Sequence, residues 1–228
     1  MADQRVLGID VGGSHVKALV SSDGSERRRF LSGPGLTPGE MVDGVKKITE
    51  DWSYDAVSVG IPSPVHAGRV LAEPVNLGTG WVGFDFDDAF GKPTKVVNDA
   101  AMQALGSYEG GGTMLFLGLG TGLGSALVIE WILKPMELGH LPFRKATFED
   151  YVGEHGRRQL GKKKWQDAVA ETIEHLRAAL EPDYVVLGGG NAAKVGELPP
   201  NVELGDNQNA FLGGFRLWEQ EAAATVAG

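Results

Sequence analysis

The sequence contains no cysteine, which excludes disulfides, thiolate metal sites and a cysteine nucleophile. Cationic residues are outnumbered, 21 Lys and Arg against 30 Asp and Glu. The resulting formal charge of −9 and isoelectric point near 5.0 argue against general nucleic-acid or membrane-surface binding. Long hydrophobic runs are also missing; a stretch such as Ala126 to Leu133 is far too short to cross a bilayer. The amino terminus, Met-Ala-Asp-Gln-Arg, leads straight into a strand, so no secretory signal is expected and the protein reads as cytoplasmic. Neither common nucleotide signature occurs. There is no Gly-x-x-x-x-Gly-Lys-Ser/Thr, and no glycine-rich turn is followed by the helix that a Rossmann fingerprint needs.

The chain does carry glycine, 34 residues of it, and two glycine-rich turns lie between apolar strands. The first is Val6-Leu-Gly-Ile-Asp-Val-Gly-Gly-Ser-His-Val-Lys-Ala-Leu-Val20, the second Met114-Leu-Phe-Leu-Gly-Leu-Gly-Thr-Gly-Leu-Gly-Ser-Ala-Leu-Val128. Displaced by 108 positions, Gly12 falls on Gly120 and Ala18-Leu-Val20 on Ala126-Leu-Val128. Both turns continue into strand-like sequence, so both segments read as β-hairpins. A turn without side chains lets backbone N–H groups point at an anion. Two such turns, one in each half, predict a phosphate chain gripped from both sides.

Between and after the hairpins the pattern is α/β. A polar turn over residues 21–29 leads to a strand near Phe30. Met41, Val42, Val45, Ile48 and Trp52 predict an amphipathic helix over 39–52. Strands follow at 55–60 and 95–97, separated by a long loop carrying Asn76, Gly78, Gly80 and Trp81. Asn98-Asp99 opens a further helix. In the second half, residues 135–145 read as irregular, 164–180 as helix, 184–187 as strand, and 210–224 as a closing helix anchored by Phe211, Phe215 and Trp218.

Asn98 and Asp99 are good helix caps, but they also follow a strand, where α/β sheets place ligands. A carboxylate there can take a proton from a hydroxyl that attacks a phosphoryl group. Glu137, His140 and Glu149 supply the carboxylates and imidazole that sugar hydroxyls need, since a hydroxyl both donates and accepts. Arg157, Arg158, Lys162, Lys163 and Lys164 form a basic run in an acidic chain. It reads either as a solvated helix start or as a track for a polyanion. Arg27-Arg-Arg29 reads as a second patch or a turn.

Taken in order, Asp10-Val-Gly-Gly-Ser-His-Val-Lys17, Asn98-Asp99, Gly120-Thr-Gly-Leu-Gly-Ser125, Glu137-Leu-Gly-His140 and Leu187-Gly-Gly-Gly190 resemble the sugar kinases of the repressor–ORF–kinase (ROK) family. Length and Lys162-Lys-Lys-Trp165 are most similar to its polyphosphate glucokinase branch. The resemblance implies the actin-like, ribonuclease H-like two-lobe α/β fold. A smaller lobe would span 1–97, joined by a terminal helix over 209–228, and a larger lobe 98–208, with the sugar between them. It implies phosphoryl transfer from polyphosphate, ATP or both to the 6-hydroxyl of glucose, with Mg²⁺. Asp99 would be the catalytic base, while Asn98, Glu137, His140, Glu149 and Asn76 would hold the sugar. Asp10 would face the metal–phosphate complex, indirectly, with Gly12, Gly13, Ser14 and Lys17 around the first turn. Gly120, Thr121 and Gly122 would form the second turn, and Gly188, Gly189 and Gly190 would approach the donor. The family's cysteine-rich zinc motif is replaced by Leu141-Pro-Phe-Arg-Lys-Ala-Thr-Phe-Glu149, so no zinc is expected. There is no room for an amino-terminal DNA-binding module, and a homodimer is expected by family analogy. Two other readings stay open: a kinase for another hexose or an N-acetylated amino sugar, and a sugar-binding sensor that has lost catalysis.

Overall fold

The computed structural model describes residues 4–21, 26–206 and 208–226, with residues 220–226 described by their backbone alone. The chain forms two units, one made of Met1–Gly106 with Ala210–Gly228, the other of Ser107–Asn209. The first unit contains β1 Val6–Val11, β2 His15–Val20, β3 Arg28–Leu31, α1 Pro38–Ile48, β4 Ala56–Ile61, the short pair β5 Val65–His66 and β6 Arg69–Val70, α2 Phe86–Phe90, β7 Thr94–Asn98 and most of α3 Asp99–Ser107. The second contains β8 Thr113–Leu119, β9 Leu123–Ile129, β10 Ile132–Met136, a 3₁₀ turn at Leu138–His140, the pair β11 Pro142–Phe143 and β12 Ala146–Thr147, α4 Phe148–Val152, α5 Glu154–Leu180, β13 Tyr184–Gly188, a second 3₁₀ turn at Ala192–Lys194 and β14 Val202–Leu204. The closing helix α6 is Asn209–Val226.

Each unit is built on one five-stranded mixed sheet, ordered β3-β2-β1-β4-β7 in the first and β10-β9-β8-β13-β14 in the second. The two orders are equivalent strand for strand. A meander of three antiparallel strands is extended by two parallel ones on the side of the hairpin's first strand. Both glycine-rich segments are the hairpins that their alternation predicts. Their turns differ by one residue, however. Val11 pairs with Val16 across four residues, whereas Leu119 pairs with Leu123 across three. Because side chains alternate along a strand, a one-residue slip inverts the faces of the second strand. In the first sheet Val16 and Ala18 join Leu7, Ile9 and Val11 in the core beneath α1. In the second, Ser125 and Leu127 share a face with Leu115 and Leu117, while Ala126 pairs with Phe116 on the other. The matched letters Ala18-Leu19-Val20 and Ala126-Leu127-Val128 therefore point to opposite faces.

In the first unit, the sheet face opposite α1 receives α3 and α6 through missing side chains. A Cβ on Gly8 would lie 3.3 Å from the Phe211 ring and 3.2 Å from that of Phe215. Ser58 Oγ donates to the Gly214 carbonyl (2.6 Å) and accepts from Trp218 Nε1 (2.9 Å). Arg216 Nη1 donates to the carbonyls of Leu105 and Gly106, both at 2.9 Å. These contacts place α3 up to Gly106 with the first unit, past the boundary expected after residue 97. The second unit's core gathers Leu115, Leu117, Leu119, Trp165, Ile173 and Leu187, among others, between its sheet and α5. Each fully buried Leu or Ile contributes about 2 kcal/mol.

Several boundaries differ from the sequence pattern. Residues 22–25 of the expected 21–29 turn lie outside the described residues, and β3 already begins at Arg28. Helix α1 stops at Ile48, where the backbone N–H and the hydroxyl of Thr49 both donate to the Val45 carbonyl. Trp52 instead lies under the Arg28 guanidinium, 4.4 Å from its carbon. Pro135 sits inside a strand, because β10 is a sheet edge, where a missing N–H costs no ladder bond. Helix α5 begins at Glu154, and Gly161 breaks its path with φ 73° and ψ 168°. The short pair β5–β6 and helix α2 carry no periodicity long enough to read.

Candidate active site

In the first unit, Asp10 lies opposite Lys17 in the hairpin register and beside Gly60 of β4. The Lys17 ammonium donates to Asp10 Oδ2 at 2.7 Å, with the two side chains 30% and 16% exposed. Beyond them the turn closes through Gly12 N–H to the His15 carbonyl, 3.0 Å. Ser32 ties down two turn carbonyls, its hydroxyl donating to Gly12 (2.6 Å) and its N–H to Ser14 (3.1 Å). Among the described residues the N–H groups of Gly13 and Ser14 are given to no carbonyl. An anion nest requires N–H groups left over in this way.

Gly60 brings the prospective base to the same place. A Cβ there would stand 3.3 Å from Asp99 Cα and 2.6 Å from the end of Met102. Its absence seats the start of α3 on the sheet face that carries Asp10 and Lys17. Asp99 is the first residue of α3 and half-buried, where the helix dipole favours the carboxylate; its Oδ1 accepts from the Ala100 N–H at 2.8 Å. Asn98 is the cap. Its Oδ1 accepts from Ala101 N–H (3.1 Å) and its Nδ2 donates to the Ser63 carbonyl (3.2 Å). Asn76 lies beside the first turn, its Cβ 3.4 Å from where a Gly13 Cβ would be. The loop that carries it is clasped by Glu73, whose carboxylate accepts the N–H groups of Trp81 (3.0 Å) and Val82 (3.4 Å). Those donors hold the Glu73 carboxyl below its ordinary range, the Trp81 bond foremost.

In the second unit, the Gly120-Thr121-Gly122 turn closes through Gly120 N–H to the Gly122 carbonyl, 3.2 Å. Its carbonyls are again tied back. Glu154 N–H, at the start of α5, reaches those of Gly120 (3.0 Å) and Thr121 (3.1 Å). Asn191, 5% exposed, donates its Nδ2 to the Gly120 carbonyl (3.3 Å) and to Glu154 Oε2 (3.1 Å). Lys194 Nζ in turn donates to Asn191 Oδ1 at 2.6 Å. The triglycine turn reaches the same end of the sheet. Gly188 pairs with Gly118, and Gly189, with φ +82°, comes so near Leu119 that a Cβ would stand 2.5 Å from its carbonyl oxygen. The structure thus brings Gly120, Thr121 and Gly122 together with Gly188, Gly189 and Gly190.

Glu137, His140 and Glu149 also converge in this unit. His140 Nδ1 lies 3.9 Å from Glu137 and its Nε2 3.6 Å from Glu149. Buried Ser125 positions the segment, donating to the Met136 carbonyl (2.9 Å) and accepting from Leu138 N–H (3.0 Å). Partial burial raises the Glu137 carboxyl above its ordinary range; Glu149 adds to the rise and His140 opposes it. Glu149 joins this cluster to the second turn, because a Cβ on Gly122 would collide with its carboxylate. Of the basic run, Arg157 pairs with both Glu154 oxygens and Arg158 with one, all at 2.8 Å. Lys162, Lys163 and Lys164 are exposed, with Lys163 3.3 Å from Asp167.

Three residues with evident roles were not marked by the sequence pattern, and Ser125 was marked only as the end of the second glycine motif. Gly60 had a signal, a glycine inside an apolar strand. Glu73 and Glu154 had none, and nothing in the motif showed Ser125's positioning role, because their partners are backbone groups or residues brought near only by folding. A magnesium ion usually takes one or two protein carboxylates, keeps several waters and relies on phosphate oxygens. Asp10 provides a hard oxygen donor of that kind. Among the described residues no group of three or more His, Cys, Asp or Glu is placed to hold a metal by itself.

The sequence profile of the ROK family matches residues 6–157, and the chain belongs to that family. It is 26% identical to a glucokinase from Pyrobaculum calidifontis, over 82% of this chain and 80% of the relative. It is also 26% identical to a kanosamine kinase from Amycolatopsis mediterranei, over 86% and 84%. Among solved structures, the inorganic polyphosphate/ATP-glucomannokinase of Arthrobacter sp. strain KM superposes with a TM-score of 0.81 at 24% identity, covering 96% of this chain and all of that one. The fold is the actin-like α/β fold of the ROK sugar kinases. Among the described residues no helix is long and apolar enough to cross a membrane.

Proposed function

We propose that this protein is a cytoplasmic sugar kinase that transfers a phosphoryl group from ATP, inorganic polyphosphate or both to the 6-hydroxyl of glucose. The observation that carries the reading is the placement of Asp99, Asp10 and Lys17 on one face of the first sheet, beside a turn in which the N–H groups of Gly13 and Ser14 are given to no carbonyl among the described residues. Kinase names among the relatives support it. In this reading Asp99 accepts the hydroxyl proton as the sugar oxygen attacks phosphorus. The new O–P bond forms while the bond to the leaving phosphate oxygen breaks, and the charge stays with the shortened donor. Lys17 and the N–H groups of Gly13, Ser14, Thr121 and Gly122 receive phosphate oxygens, and Gly188, Gly189 and Gly190 let the donor approach the backbone. Asp10 would hold magnesium through water, and the ion would neutralise phosphate charge. Glu137, His140 and Glu149 hold the sugar hydroxyls, with Asn98 and Asn76 adding amide groups.

A second reading, a kinase for another hexose or an amino sugar, is favoured by the kanosamine kinase relative. Steady-state phosphorylation of a sugar panel with ATP and polyphosphate as donors tests both. Glucose 6-phosphate as the main product supports the first and a different preferred sugar the second. Absence of phosphorylated sugar with either donor overturns the kinase assignment and leaves the sensor.

A further inference from the structure

Adjacent arginines on the edge strand β3 are treated in opposite ways. Arg28 faces α1: its Nη1 donates to the Ile48 carbonyl (2.7 Å), its guanidinium pairs with Asp51, and it lies over Trp52. Phe30 faces the same way, its ring closing on Gly44 of α1. Alternation along the strand sends Arg29 to the other face. The register then sets Arg29 opposite Lys17, Lys17 opposite Asp10, and Asp10 beside Gly60. Arg29 thus ends a row that runs across the face on which Asp99 is seated. Its exposed side chain has no hydrogen-bond or ion-pair partner among the described residues.

That placement favours an anionic partner. Like charges directly opposite on neighbouring strands repel, and the Lys17 ammonium is already engaged by Asp10. Two interstrand spacings separate the backbones of Arg29 and Asp10, about 10 Å, a span that a chain of several phosphates covers and orthophosphate does not. A guanidinium fork suits two oxygens of one phosphate.

We propose that Arg29 is a donor-binding residue which, with Lys17, receives the distal phosphates of a linear inorganic polyphosphate. The proposal rests on the kinase reading of the first turn. It also moves the polyanion contact away from the basic run at 157–164, whose two arginines are held by Glu154.

The test is calorimetric titration of the intact protein with linear polyphosphate, with orthophosphate in parallel, for wild type, Arg29→Gln and Lys46→Gln. Lys46 is an exposed residue of α1, on the opposite side of the sheet, and its loss changes net charge equally. Arg29→Gln should weaken polyphosphate binding on the order of tenfold, the equivalent of one charge-assisted contact, and flatten its dependence on log salt by about one. Orthophosphate binding should not change, and Lys46→Gln should match wild type. Undiminished binding by Arg29→Gln, or equal weakening by both variants, overturns the proposal. Turnover is not needed for this readout. A protein that phosphorylates no sugar yet binds polyphosphate through Arg29 would sink the kinase reading alone.

Discussion

The two hairpins share a topology and a sequence pattern yet serve opposite faces, and a single residue of turn length makes the difference. Four residues separate Val11 from Val16 and three separate Leu119 from Leu123. Lys17 consequently stands beside Asp10 on the face that receives α3, while Ser125, its counterpart by sequence displacement, is buried beside Leu117. From there Ser125 holds Met136 and Leu138, and with them the Glu137–His140 segment. The first hairpin carries a partly exposed ion pair, and the second a buried hydroxyl that positions the Glu137–His140 segment; in the proposed function these serve the phosphoryl donor and the sugar respectively. Loop length thus decides what a position can do as strongly as the residue placed there.

The largest effect expected is from Asp99→Asn, which keeps the helix start and removes the proposed base. Turnover should fall by about 10²- to 10⁴-fold while sugar affinity, read by calorimetry, stays near that of wild type. Undiminished turnover would take the reaction chemistry out of the first unit and end the contrast between the halves.

The division of labour itself is tested by Lys17→Met and Ser125→Ala. The first should raise the donor KM about tenfold, as loss of one charge-assisted contact would, and leave the sugar KM alone. The second should raise the sugar KM and lower stability by about 1–3 kcal/mol, since it strands a buried N–H. Both variants moving the same KM would collapse the distinction.

A smaller effect separates the glycines of the second turn. Nothing lies within 4 Å of a Cβ on Gly120, whereas one on Gly122 meets the Glu149 carboxylate. Gly122→Ala should therefore raise the sugar KM several-fold more than Gly120→Ala, in parallel kinetic assays.

The smallest effect is on pH dependence. A raised Glu137 carboxyl binds its proton more tightly in the folded state, so its stabilising contribution is complete below the ordinary carboxylate pKa and is lost as pH rises through the higher folded value. Glu137→Gln should show its largest gain in Tm over wild type near neutral pH and none in acid. A gain independent of pH would show that the carboxyl titrates normally.

Much of this was legible in the order of residues. The hairpins announced themselves by glycine between alternating apolar residues, and Asn98-Asp99 by a cap placed straight after a strand. The turn-length difference was not, because Gly-Gly-Ser-His and Gly-Thr-Gly-Leu fit either count until pairing fixes the register. Pro135 suggested a break because proline's tolerance depends on whether its strand lies at an edge, which only the sheet order decides. The helical turns before Gly161 were hidden by a glycine whose left-handed backbone interrupts the periodicity. The anchoring of the second turn by Glu154 and Asn191 joins segments 71 residues apart in the Asn191–Gly120 bond, and no local pattern encodes it.

The bare position at Gly60 has an engineering consequence. The depth at which Asp99 sits is gauged by strand β4, since a single methyl there would press on the Asp99 backbone. Grafting the Asn98-Asp99 helix start onto another scaffold would carry the carboxylate but leave behind its spacer. A transplant meant to keep reactivity would need that neighbouring strand and its glycine as well.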